Sequence, residues 1–506
     1  MINIFGKYLT RLLSGGKGRT PASGSREPAA ETKIDGDRLR SMILSSADIV
    51  ALSQADGHLL IYCSGMIDSR QLNQHVLPSL KILMEKSESA DELAESLEET
   101  MEWYPLRTNE DAEKHLFNGY LLLYFSDSGR LYAFNISEVP QRQPEESNTE
   151  ISVKGARDGF TEDIATNVAL IRKRLRTNTL HHERMCIGTR SRTEVSLLYM
   201  ADIIHPDLIR EARRRLGKIH VDSLTSSGQL EEGMSDSSAA FFPLIDYIGR
   251  PDFAVQCLLR GRFIVLVDGS PMALIAPCNL TELLKTPEDA YLPYHFVAFE
   301  RILRLAGLLI ATLLPGLWIA LTSYHVDQLP LPLLATITTS RAGLPFSTPL
   351  EMLLMLSMFE LFREAGIRLP KAVGQTIAVL GGLIIGDAAI RAGLTSPTTL
   401  VASATTAVAT FTLVNQSLSG TVSIVRLGIL FMSAFLGMFG FFVSVLCLLA
   451  YMSVLESFGI PYLAPLSPLS WKELVPGLLA KPWSAVKHRP GFLHTIDDIR
   501  REGGDE

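Results

Sequence analysis

Charge is distributed so unevenly along this chain that it fixes the architecture before any motif is considered. From Leu305 to Val326 no Asp, Glu, Lys or Arg occurs, and charge is almost as sparse from Ala372 to Leu455. The first three hundred residues have the mixed charge of an ordinary soluble protein. A run of about 20 apolar residues matches the hydrocarbon thickness of a bilayer, so the chain reads as a soluble module followed by a membrane module.

With 506 residues there is room for two or three domains. A mean hydropathy of +0.20 is high for a soluble protein and low for a transporter made only of helices. The net charge of −7 and pI near 5.9 argue against nucleic acid as a partner, which selects basic surfaces. Cys63, Cys186, Cys257, Cys278 and Cys447 show neither CxxC nor paired spacing, so no zinc site or disulfide framework is expected. They read as reduced core residues.

Residues 1–34 read as a tail. Its start, MINIFGKYLTRLL, lacks the unbroken apolar core of a secretory signal and has the spacing of a short amphipathic helix, and GGKGRTPASGSREPAAET follows as a flexible linker. A first α/β subdomain is expected over 35–150. Its hairpins flank Asp56-Gly57 and Ser126–Gly129, with a Glu- and Leu-rich helical stretch from Leu77 to Glu102 between them. The polar segment Pro140–Thr149 closes that unit. A second α/β subdomain over 151–295 has helical spacing in Asp158–Leu175, Pro206–Leu216 and Asp252–Leu259, strands at 185–188, 195–200 and 219–221, and a hairpin around Asp268–Pro271. The expected fold class is therefore an α/β cytosolic region of two subdomains followed by an all-α, multi-span membrane domain.

The membrane domain is expected over 296–456, with spans at about 305–321, 372–390, 397–413 and 427–452. Ser396 and Pro397 suit a helix cap and first helical position. The segment 349–370 has helical spacing but carries Glu351, Glu360, Arg363, Glu364 and Arg368, so it either lines protein or water at membrane depth or lies in the interface. Gly382 and Gly386 permit close helix approach, Asp387 and Arg391 stand one turn apart, and Gln375 and Thr376 open the same segment. Gln375, Thr376, Gly382, Gly386, Asp387, Glu360, Arg363 and Glu364 are the candidate pore or gating residues. A basic cytoplasmic tail is expected over 457–506, which requires an even number of crossings. Four plain spans would place Arg363, Arg368 and Lys371 on the wrong side, so either 349–370 re-enters or a weak crossing lies at 329–339 or after Phe458.

No Walker loop, GxSxG elbow, HExxH or dinucleotide fingerprint stands in a usable context, and no catalytic residue, metal ligand or cofactor is expected. His181 and His182 read as a solvated loop pair.

In their order, GARDGFTEDIATNVALIRKRL at 155–175, Arg250-Pro251-Asp252, GRFIVLVDGSP at 261–271, Leu344–Phe346 and ELFREAGIRLPKAVGQTIAVLGGLIIG at 360–386 resemble the A subunits of GerA-type spore germination receptors. The resemblance runs from about Asp35 to Pro468, with Ala156 standing where the family more often carries proline. It implies a protein of the spore inner membrane with its soluble region facing the core. It also implies a permease-like B subunit and a lipoprotein C subunit as partners, and a homo-oligomeric ring, with a pentamer as the expected size, forming a ligand-gated cation channel among membrane lipid. A non-conducting scaffold, and a germination-enhancing channel paralogue without a nutrient-binding partner, are the competing readings.

Overall fold

The computed structural model describes residues 36–53, 58–86, 92–93, 96–97, 103–126, 128–138, 154–368, 386–482 and 485–500. Residues 1–34, most of the acidic stretch 92–102, and Gln375, Thr376 and Gly382 lie outside them.

The first unit is a five-stranded antiparallel sheet in the order β1-β2-β4-β5-β3, built from β1 (Ile49–Ser53), β2 (Leu59–Cys63), β3 (Tyr104–Leu106), β4 (Tyr120–Tyr124) and β5 (Leu131–Asn135). Helices cover both faces: α1 (Gly36–Ser45) and α3 (Asn109–Leu116) on one, and α2, over residues 69–86, on the other. The central strands β2 and β4 are almost wholly buried, which is why they are nearly continuous apolar runs.

The second unit repeats this plan. Its strands β6 (Leu180–Ile187), β7 (Thr193–Met200), β8 (Asp246–Ile248), β9 (Phe263–Val267) and β10 (Ala273–Ala276) take the order β6-β7-β9-β10-β8, again wholly antiparallel. Helices α4 (Ile164–Arg172) and α7 (Pro251–Leu258) pack on one face, and α5 (Pro206–Leu216) and α6 (Ser227–Met234) on the other. Residues 219–221, expected as a strand, are irregular. His181 and His182 are not in a loop: both lie in β6, and His182 is buried, its Nε2 2.8 Å from Ser196 Oγ. It belongs to the joint between the units, where Arg172 Nε donates to Asp48 Oδ2 at 3.0 Å and the Ala47 amide donates to the His182 carbonyl at 2.8 Å. Burial alone would raise the Asp48 carboxyl, but the Arg172 charge and the His182 contact hold it well below the usual range. Three cysteines are buried, whereas Cys186 and Cys447 are exposed.

After the short helix α8 (Leu280–Leu283), the helical part begins at α9 (Tyr294–Ile319), which continues through a π-turn to Tyr324. It is followed by α10 (Leu331–Arg341), α11 (Thr348–Arg368), α12 (Pro397–Phe411) and α13 (Gln416–Val454). At 11 residues, about 16 Å, α10 is too short to cross hydrocarbon. The segment expected as one span at 427–452 is instead the turn and parts of two arms. Gly437, at φ 59° and ψ −137°, reverses α13, so residues 416–436 run out and 438–454 run back. Both ends meet at Phe241: its carbonyl accepts from Thr421 Oγ1 and its amide donates to Tyr451 Oη at 3.0 Å. Glycine is required at the turn because its backbone is left-handed and a Cβ would stand 2.9 Å from Tyr324 Cγ. Gly437→Ala should therefore cost about 1–3 kcal/mol, read as a fall in the thermal midpoint of the detergent-solubilised protein; an unchanged midpoint would contradict the turn.

After α13 the chain returns to the second unit. Strands β11 (Glu456–Ser457) and β12 (Ile460–Pro461) form a hairpin whose tip residue Phe458 packs edge-on against Phe263, with the Arg215 guanidinium 4.1 Å from its ring centre. Further on, Arg489 Nε donates to the Leu259 carbonyl at 2.9 Å and the Ile496 amide to the Ile203 carbonyl at 2.9 Å. Residues 455–500 are thus largely strapped to the second unit, because Phe458, Ile460 and Leu493 complete its core.

Candidate functional site

The charges of α11 are resolved by pairing inside the helical part. Ser423 Oγ donates to Glu360 Oε1 at 2.6 Å, Arg363 Nη2 lies 2.7 Å from Glu360 Oε2, and Arg426 Nη2 donates to Glu360 Oε1. Arg363 Nη1 also donates to Ser419 Oγ at 3.0 Å, and Arg426 Nη1 to Thr410 Oγ1 at 3.1 Å. Arg426 is only 2% exposed, so a cation sits within an apolar helical body with one close carboxylate and two hydroxyls, those of Thr410 and Ser423. Glu364 is exposed one turn beyond Glu360.

The structure thus joins Glu360 with Arg363 and holds them apart from Gly386 and Asp387. Gly386 lies beside Leu400, while the Glu360 cluster reaches Thr410, ten residues and about 15 Å further along α12. A Cβ at Gly386 would stand an ordinary 3.4 Å from Leu400 Cδ2, so this glycine is not required by close approach there. Asp387 pairs with Arg391 at 2.8 Å, both exposed. Closer packing is found at Gly307, whose Cβ position is filled by Thr412, and at Gly316, where Ile429 Cγ2 would lie at 2.7 Å.

Sequence reasoning passed over Arg426 and took Glu351 only as one of the charges that interrupt 349–370. Arg426 is the key partner, and its signal was a single arginine within a long apolar run. Glu351 is completely buried, and its Oε2 accepts from the Ser396 amide and from Ser396 Oγ, each at 3.1 Å, with Arg341 Nε 3.6 Å from Oε1. It caps the positive end of α12, where Ser396 also accepts from the Thr399 amide.

A second polar cluster sits where the α/β region meets the helices. Glu282 is buried and pairs with Arg260, with Lys285 at 2.8 Å and with Arg262 at 3.3 Å. Burial would raise its carboxyl, but Lys285, Arg260 and Arg262 together hold it well below the usual range. Asp246 has the opposite fate. Burial, then the Glu282 charge, push it up to about 7, although Asn415 Nδ2 donates to its Oδ1 at 2.6 Å. Asn415 is the N-cap of α13, its Oδ1 accepting from the Leu418 amide. Arg301 and Arg304 of α9 clamp Asp289 at 2.8 and 3.0 Å. The β11–β12 hairpin adds a third connection: Ser457 Oγ donates to the Leu244 carbonyl and accepts from the Cys278 amide. Among the described residues no His, Cys, Asp and Glu grouping could hold a metal ion.

A paired α/β head, tied at several points to a helical body whose two longest apolar elements among the described residues, Tyr294–Tyr324 and Gln416–Val454, are long enough to cross a membrane, defines the class of protein. The chain belongs to the GerA family of Bacillus/Clostridium spore germination proteins, whose family model matches residues 37–492. It is 45% identical to spore germination protein XA of Bacillus anthracis over 88% of this chain and 92% of that one. It is 31% identical to spore germination protein KA of Bacillus subtilis, over 93% and 87%. An uncharacterized membrane protein of Bacillus subtilis, YfkQ, is 33% identical over 85% and 84%. Among solved structures, the N-terminal domain of the A subunit of the Bacillus megaterium spore germinant receptor GerK3 is 26% identical, covering 50% of this chain and 98% of that one at a TM-score of 0.37. The family match continues past Pro468, so the tail to residue 492 is shared and not peculiar to this chain.

Proposed function

We propose that the chain is the A-type membrane subunit of a nutrient-responsive spore germinant receptor, and that copies of it surround a gated path for cations in the spore inner membrane. The observation that carries this reading is the Glu360–Arg363–Arg426 cluster inside an apolar helical body. Charges at membrane depth are costly and are kept where they face protein or water with a purpose. Membership of the GerA family supports the receptor role, and the names of relatives support action with other receptor subunits, here a permease-like B subunit and a lipoprotein C subunit.

The helical part suits one wall of an assembly better than a complete transporter. Among the described residues its elements are few, and alternating-access folds are usually built from repeated halves. α9 leaves the α/β head and both arms of α13 end beside it, which supports head and carboxyl terminus on the same side, the core side, with an even number of crossings. The ring, with a pentamer as its expected size, and the position of the gate belong to the same proposal.

Reconstitution tests it. Full-length protein assembled with its partner subunits in potassium-loaded vesicles is expected to release potassium when germinant is added. Vesicles that hold intact oligomers and release none under any condition would refute the conduit and leave a membrane scaffold.

A further inference from the structure

The helix after the cis-proline turn, α14 (Trp471–Leu478), has an apolar stripe that none of the described residues covers. Trp471 and Val475 stand one turn apart, Leu479 follows as the extended residue that ends the helix, and all three are exposed, Trp471 by 68%. Leu474 turns inward and is buried. Exposed Lys472 and Lys481 flank the stripe. The helix rests on the first turns of α9, where Arg301 Nη1 donates to the Gly477 carbonyl, and Phe299, Ile302 and Leu303 in those turns are exposed.

The level of α14 follows from lengths. α9 with its π-turn has 31 residues, about 46 Å, whereas hydrocarbon is about 30 Å thick. At the far end Tyr324 donates to the Ala434 carbonyl, next to the Gly437 turn, so α9 and the outgoing arm of α13 finish together. That arm, residues 416–436, is about 31 Å long and fills the slab by itself. The surplus of α9, roughly ten residues, therefore lies at the head end, and these are the residues that carry α14.

We propose that α14 lies flat in the bilayer interface on the head side, with Trp471, Val475 and Leu479 in the boundary between headgroups and acyl chains and Lys472 and Lys481 reaching lipid phosphates. Tryptophan with lysine is the pairing that interface favours, and a short helix with one apolar stripe binds there without spanning. The exposed apolar face continues along α9 into the hydrocarbon, so the occupant is lipid. The inference rests on the reading that α9 crosses the membrane.

Full-length protein with Trp103, Trp318 and Trp483 changed to phenylalanine retains Trp471 as its single tryptophan. In phosphatidylglycerol and phosphatidylethanolamine vesicles with brominated acyl chains, its emission is expected to fall about twofold with bromines near the headgroups and less with bromines near the chain ends. The control is Leu446→Trp with all four native tryptophans replaced, since Leu446 is exposed on the returning arm of α13. Quenching of the control without quenching of Trp471 would overturn the interfacial helix, and would mean that a second copy or another subunit covers the stripe. Absence of quenching in both would overturn the crossing itself, and the inference with it.

Discussion

Replacing Glu360 with alanine is expected to destabilise the helical body by about 3–5 kcal/mol, because it strands a buried guanidinium. Arg426 is enclosed, and Glu360 is the carboxylate that neutralises it. Hydroxyls of Thr410 and Ser423 remain as acceptors but carry no charge. Removing the cation together with its counter-charge should be far milder, since apolar replacement of a buried pair is often neutral. Glu360→Ala combined with Arg426→Leu should therefore recover most of the loss. Arg363 is partly exposed, and Arg363→Gln should cost no more than about 1 kcal/mol. Thermal unfolding of the detergent-solubilised protein across this double-mutant cycle measures the coupling, and simple additivity of the two single losses would contradict the pairing. The same set separates structure from gating. If the double variant folds and assembles yet no longer releases potassium on germinant addition, the cluster acts in the path; if release is normal, it only holds the bundle together.

Much of the α/β region could be read from periodicity. α5 spans the residues its spacing implies, from Pro206 to Leu216, the strands expected on either side of residues 56–57 pair as β1 and β2, and the hairpin at Asp268–Pro271 follows its turn residues. β8 was illegible because three residues, Asp246-Tyr247-Ile248, offer no alternation to detect, and it pairs only through β10. The reversal of α13 was hidden for another reason. Both arms are apolar and the turn at Gly437 contains no polar residue, so hydropathy records one long segment where the backbone makes two. Half of the charged site was visible, since Glu360 and Arg363 interrupt an apolar helix. Its other half required tertiary contact, because nothing local links Arg426 to a residue 66 positions earlier. His182 shows the same limit: its burial depends on Asp48 and Arg172 from elsewhere in the chain.

The junction at Asp246 leads to the second large effect. Its carboxyl is raised to about 7 in the folded protein, against an ordinary value near 4 when unfolded. Between those values the folded state holds a proton that the unfolded state has released, so stability is greatest below about pH 4 and is lost as pH rises to about 7. Three pH units correspond to about 4 kcal/mol as an upper bound. The groups that face Asp246 are Glu282, Arg262, Cys257, Cys278, Tyr462 and the Asn415 amide. Burial raises both thiols and the phenol, which stay protonated through this window, while Lys285, lowered by its own burial to about 8, titrates above it. Asp246→Asn keeps an acceptor for Asn415 and for the Tyr247 amide but carries no charge. The variant should gain stability over the native protein at pH 8, by up to about 4 kcal/mol, and less than half as much at pH 5. Thermal midpoints of both proteins at the two values decide it, and equal differences at pH 5 and pH 8 would show that Asp246 stays ionised throughout. Because Asn415 caps α13, a charge appearing on Asp246 acts at the point where the head meets the outgoing arm, and the same variant should flatten any pH dependence of potassium release between pH 5 and pH 8.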